Sequence, residues 1–237
     1  TRGGTVAVFM NVIAREMKKW AAETYPEGKE INIIFFAYRW IESPPVVKTA
    51  NGYDPVHEHV VLEDNIFVRI APIVANYAYG FTDKRQDLDQ VQMIEGWSSI
   101  AKNLMFWDYQ NQYKNYLMYY PNLSYLAENI QFYKDINVVY LMNQSSYNTP
   151  GDWQSNLKYY VANKLYWHPD RNVNGLIQEF VKYYHGDAAA QYVLQYIDMM
   201  EDHYAQMREK ENFRIHCVDL VGSYLDLENN PLGLLEK

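Results

Sequence analysis

Four short apolar runs, rich in β-branched and aromatic residues, alternate with stretches of helical periodicity, and this alternation constrains the chain more than anything else in it. The runs are Ile31–Trp40 (INIIFFAYRW), Asn65–Val74 (NIFVRIAPIV), Asn103–Tyr109 (NLMFWDY) and Asn137–Met142 (NVVYLM). A continuous apolar run bounded by turn residues reads as a strand buried on both faces, as in a parallel sheet. A helix is expected over Val6–Thr24, where Val6, Phe9, Met10, Ile13, Met17 and Trp20 recur at three- and four-residue steps. Pro26 and Gly28 end it. Further helices are expected over Leu88–Ala101, Asn122–Lys134 and Asp152–Tyr166, with Asn122 and Asp152 as candidate N-caps. Pro44-Pro45, Asn51-Gly52 and Asp54-Pro55 mark a polar loop after the first strand.

After Trp167 the strands stop. Val173–Tyr184 and Asp187–Glu209 read as helices divided at His185-Gly186, and a last helical stretch is expected over Phe213–Leu227. The pattern gives an α/β class in two parts: strands and helices over 1–167, then a helical extension over 168–237. Four strands do not close a barrel, so the sheet is either open or half of an eight-stranded one. No G-x-G-x-x-G or G-x-x-x-x-G-K follows any strand, which lowers the doubly wound, nucleotide-binding alternative, and no cofactor is expected.

Lysine and arginine total 21 against 29 acidic residues, a net charge of −8, so a nucleic-acid partner is not expected. No apolar run approaches the roughly 18 residues of a membrane span, and no membrane partner is expected. The single cysteine, Cys217, excludes an internal disulfide and a cysteine zinc site and reads as a buried small residue. His57 and His59 flank Glu58, but no further ligand stands at a recognisable spacing, so no metal is expected. The chain opens at Thr1, and an upstream segment is expected. Its 23 tyrosines and 6 tryptophans bury large area, and they are also the side chains that stack on sugar rings.

Parallel α/β folds bind ligands at the carboxyl ends of their strands. Those positions hold Tyr38, Arg39, Trp40 and Glu42 after the first strand, and Asn76, Tyr77 and Tyr79 after the second. The third gives Trp107, Asp108, Tyr109 and Asn111, the fourth Asn143, Gln144 and Tyr147. Flat rings with amides, carboxylates and an arginine are what a sugar site needs: rings for the pyranose face, polar groups for the hydroxyls. Asp108, ending an apolar strand between Trp107 and Tyr109, is the sharpest candidate acid or base, because aromatic surroundings raise a carboxyl pKa. It could equally orient a neighbouring tyrosine. Glu42 reads as a solvated loop residue or as a second rim carboxylate, and Arg39 as a clamp for a hydroxyl-rich or anionic group or as the partner of a barrel carboxylate.

Several motifs in order resemble the domain-of-unknown-function family 4838, part of which is classified as glycoside hydrolase family 163. They are FWDYQNQY at Phe106–Tyr113, YYPNLSYLAENIQFYKD at Tyr119–Asp135, NQSSY at Asn143–Tyr147, LKYYVANKLYWHPD at Leu157–Asp170 and FVKYYHGDAAAQYV at Phe180–Val193. FMNVIARE at Phe9–Glu16 and FAYRWIESPP at Phe36–Pro45 fit as well. The resemblance implies a (β/α)₈ barrel, of which this chain is the C-terminal half, its partner being a missing N-terminal half or another copy of the chain. It also implies retaining hydrolysis of N-acetylglucosamine-containing glycans, as in endo-β-N-acetylglucosaminidases, and a secreted, periplasmic or cell-surface location. Where members of the family commonly carry a glutamate followed by glutamine, this chain has Asn143-Gln144. An amide cannot exchange a proton at neutral pH, so this departure points to a second reading, a catalytically silent carbohydrate-binding remnant.

Overall fold

A computed structural model describes residues 1–146, 154–210 and 213–218. Two compact units interleave along the chain. The first comprises Thr1–Pro72, Asp87–Asp108 and Phe132–Met142; the second comprises Ile73–Gln86, Tyr109–Gln131 and the described part of Asn143–Lys237.

The first unit begins with helix α1 (Arg2–Thr24), capped by Thr1, whose Oγ1 accepts from the Gly4 amide at 3.1 Å. Its buried stripe is Gly3, Ala7, Asn11, Ala14 and Ala21. The larger apolar residues expected to face the core do so only at the margins: Val6, Met10, Ile13 and Met17 are half-buried, while Phe9 and Trp20 are exposed. Small residues occupy the contact face because the neighbouring backbone comes close. The main-chain oxygens of His59 and Val61 accept from Asn11 Nδ2, and the Glu63 amide donates to Asn11 Oδ1, all within 2.9 Å. The helix ends at Tyr25, and Gly28 closes the following turn at φ +89°, a conformation open to glycine.

Strand β1 (Ile33–Ala37) follows, and then a hairpin of β2 (Val46–Thr49) and β3 (Gly52–Pro55) in the stretch that reads as a polar loop. Ala50-Asn51 is its two-residue turn, and Gly52, which opens β3 opposite Thr49, stands at φ +122°. Next come β4 (Ile66–Ile70), helix α2 (Leu88–Ile100), β5 (Asn103–Tyr109), helix α3 (Leu126–Asp135) and β6 (Val138–Gln144). The helix expected from Asn122 therefore starts four residues later, and Asn122 is not its cap. The sheet has the order β1-β4-β5-β6, with β1 parallel to β4 and β4 parallel to β5. This is the mixed α/β architecture that the alternation of runs predicts.

Side chains alternate across a strand. Phe35, Ala37, Ile66, Val68, Ile70, Leu104 and Phe106 form the buried face. Phe35 meets the Trp97 ring of α2 edge-on at 5.6 Å, and Phe106 lies 4.3 Å from the Tyr133 ring of α3. The opposite face carries Ile34 and Phe36 of β1, which are 48% and 37% exposed, and Tyr140 of β6, which is 49% exposed. The expectation that β1 is buried on both faces is thus corrected: helices pack on one face, and the other is partly exposed at Ile34 and Phe36.

The segment Glu42–Pro45 is held by two helices of this unit. Trp97 Nε1 donates to the Glu42 main-chain oxygen at 2.6 Å. A Cβ on Gly3 would lie 2.2 Å from the Ser43 oxygen, and one on Gly96 would lie 2.5 Å from Pro44 Cγ. Both glycines are therefore notches into which the segment fits. Gly96→Ala is expected to cost about 2 kcal/mol through overpacking, read as a lower urea midpoint at unchanged m-value.

The second unit is built on α4 (Ser155–Trp167), α5 (Val173–His185) and α6 (Asp187–Arg208). Asn172 caps α5 by accepting from the Gly175 amide at 2.7 Å, and Gly186 turns the chain into α6 at φ +77°. Residues 213–216 form neither helix nor strand, and Cys217 is fully buried. The rest of the expected last helix, together with Tyr147 and Asp152, lies outside the described residues.

Candidate functional site

In the first unit the carboxyl end of β1 gathers four of the anticipated residues. Tyr38 leads into a single 3₁₀ turn, Arg39–Ile41, which Glu42 closes. Arg39 stands at φ +55°, a left-handed conformation that costs a non-glycine residue of order 1 kcal/mol and recurs at functional sites. Its guanidinium lies 5.1 Å over the Tyr38 ring. Trp40 is 82% exposed, with the Arg2 guanidinium 5.6 Å from its ring. Glu42 is half-buried, and loss of solvent holds its carboxyl above the usual carboxylate range. Asp89 adds to that rise and Arg39 opposes it. The end of β1 therefore offers an exposed ring, two cations and a half-buried carboxyl whose pKa is raised.

Trp107 and Asp108 are neighbours in β5 and so point to opposite faces. Trp107 joins the partly exposed face, its ring 5.7 Å from Phe36. Asp108 is 2% exposed on the helix-covered face, where Tyr133 Oη donates to its Oδ2 at 3.0 Å. It holds Tyr133, the ring that packs on Phe106.

On the partly exposed face the register aligns Phe36, Arg69 and Met105 across β1, β4 and β5. Arg69 lies 5.1 Å from the Phe36 ring and 5.7 Å from the Tyr140 ring, and its Nη2 meets Met105 Sδ at 3.9 Å. Sequence reasoning passed over Arg69. The signal was there: one charge inside an otherwise apolar strand.

In the second unit the anticipated residues form buried polar networks. Asn76 is 2% exposed and fully engaged: its Oδ1 accepts from the Ala78 and Ile215 amides, and its Nδ2 donates to the Phe213 oxygen. Tyr77, Tyr79 and Tyr109 are buried, Tyr109 against Tyr77 and Tyr113. Asn111 donates to Ser145 Oγ at 2.9 Å, and its buried Oδ1 has no partner among the described residues. Gln110 donates to Asn143 Oδ1 at 3.4 Å and accepts from Asn122 at 2.8 Å. The Gln144 main-chain oxygen accepts from the Gln110 amide and from Tyr113 Oη. Lys158, 1% exposed, donates to the Gln110 and Tyr120 oxygens at 2.9 Å each. A lysine on a helix gives no signal in sequence that it will be buried.

His57 Nδ1 accepts from the His59 amide, and among the described residues no three histidine, cysteine or acidic side chains gather closely enough to hold a metal. No helix among the described residues is long and apolar enough to cross a membrane.

The family model for a domain of unknown function, DUF4838, matches residues 2–198. No curated protein and no solved structure gives a significant match. With its strands, its rim and most of α6 inside the matched range, the chain belongs to the DUF4838 family.

Proposed function

We propose that this chain is the C-terminal half of a (β/α)₈-barrel glycoside hydrolase domain that cleaves N-acetylglucosamine-containing glycans. The observation that carries the reading is the end of β1, where the exposed Trp40 stands two residues along the chain from Glu42, whose half-buried carboxyl has a raised pKa. A ring can stack on a pyranose, and a carboxyl with a raised pKa can, in its protonated form, donate to a leaving glycosidic oxygen. The strand order supports the barrel. A doubly wound sheet reverses its order at a switch point, whereas a barrel adds each strand beside the last, as β1-β4-β5-β6 do. Helices on one face and an apolar, partly exposed other face are what half a barrel would present.

The second reading is a catalytically silent carbohydrate-binding remnant. It is favoured by Asp108, which is buried against Tyr133, and by the amide at Asn143.

Glycan release from a complex N-glycoprotein, read by product mass, tests both. Glu42→Gln is expected to lower the rate by about 100-fold or more, the loss of one general acid. In the parent, the rate is expected to fall as pH rises through the elevated pKa of Glu42, because the protonated form is the donor. Asp108→Asn keeps the shape of the Tyr133 contact and is expected to cost less than about tenfold. A collapse in Asp108→Asn with Glu42→Gln unchanged would move the acid to Asp108. Binding without release would favour the silent reading.

A further inference from the structure

The partly exposed sheet face holds a charge with no counterpart among the described residues. Arg69 is half-buried, and among the described residues no carboxylate or carbonyl oxygen is bonded to it. Its Nε is buried without a partner, and its Nη2 has only the Met105 sulfur, a weak acceptor. The Phe36 and Tyr140 rings attract the cation but accept no N–H bond in the plane of the guanidinium. A guanidinium carries five donors in a rigid fork and keeps its charge, so a half-buried one without an oxyanion is incomplete. Arg69 is also the penultimate residue of β4, next to the carboxyl end where parallel sheets take their ligands. Phe36, Trp107 and Tyr140 surround that position with partly exposed rings.

We propose that Arg69 is the anion-reading residue of a subsite for an acidic sugar, one whose ring carries a carboxylate or a sulfate. The oxyanion takes the N–H groups of Arg69, and the sugar ring lies against Trp107 and Tyr140. This rests on the reading of the sheet face as the inner wall of a carbohydrate site, and it narrows the glycan class from neutral to charged.

The test compares glucuronate, glucose 6-sulfate, glucose and acetate as ligands of the whole chain, by calorimetry, for the parent and for Arg69→Gln. Circular dichroism controls for folding, and Arg69→Lys serves as a second variant that keeps the charge but loses the fork. The expected result is that at least one acidic sugar binds about tenfold or more tighter than glucose. Arg69→Gln abolishes that preference, and Arg69→Lys retains part of it. Preference for glucuronate alone assigns a carboxylate, and preference for the sulfate ester alone assigns a sulfate. Equal binding of acidic and neutral sugars overturns the proposal, as does a preference that survives Arg69→Gln. Acetate binding as tightly as glucuronate overturns the sugar, and a dimer that Arg69→Gln dissociates assigns the face to a carboxylate of a second copy instead. The measurement is a ratio of affinities, so it stands or falls separately from glycan release.

Discussion

Trp97→Ala is expected to remove about 4–5 kcal/mol of folding stability, the upper end for loss of a fully buried aromatic side chain. Trp97 is 0% exposed and meets Phe35 of β1 edge-on. Its N–H also bonds the Glu42 oxygen, so the alanine variant loses a packing contact and a hydrogen bond together. Trp97→Phe separates the two. It keeps a ring against Phe35 and leaves the Glu42 oxygen without its donor, at about 1–2 kcal/mol. Urea unfolding followed by far-UV circular dichroism reads both. Since Gly3 and Gly96 fix the next residues of the same segment, Trp97→Phe is expected to shift the titration of Glu42 as well as the stability. A phenylalanine variant as unstable as the alanine one would show that the hydrogen bond, not the ring, dominates.

The second large effect is expected at Asn11. Its side chain satisfies three main-chain groups of residues 59–63, the turn that leads into β4. Leucine has a similar size but none of these bonds, so Asn11→Leu leaves two carbonyls and one amide unpaired beside a buried helix face, at about 3 kcal/mol. Asn11→Asp is expected to be worse at neutral pH, because a carboxylate would face two carbonyl oxygens. Those oxygens favour the protonated form and raise its pKa in the folded state. The stability of Asn11→Asp therefore falls as pH rises through that value and recovers in acid, the reverse of an ordinary paired carboxylate. A flat pH profile for this variant would refute the geometry.

The strands were legible because apolar runs bounded by turn residues leave few alternatives. The exposed face of β1 was not, because INIIFFA reads identically whether its second face meets protein or solvent. The α1 stripe was misjudged for a related reason. Periodicity weights large side chains, but this helix approaches backbone so closely at Ser43 that alanine, glycine and asparagine form its contact face. At the candidate site, the end of β1 followed from the rule that ligands meet strand carboxyl ends. That Trp107 and Asp108 face opposite ways was also deducible, from the two-residue period of a strand. The engagement of Asn76 and the burial of Lys158 depend on partners far along the chain, and no local pattern announces them.

The order of the strands also bears on how the sheet is made. Ile33 pairs opposite Ile66 and Phe67 opposite Asn103, separations of 33 and 36 residues. Each pairing thus closes a loop of nearly equal length, and each involves the strand that has just been synthesised. A chain leaving the ribosome can therefore lay down β1, β4 and β5 in the order in which they emerge, without waiting for a distant segment. Its assembly is incremental, and a pause in translation after any one strand leaves a smaller version of the same sheet rather than a wrongly threaded one.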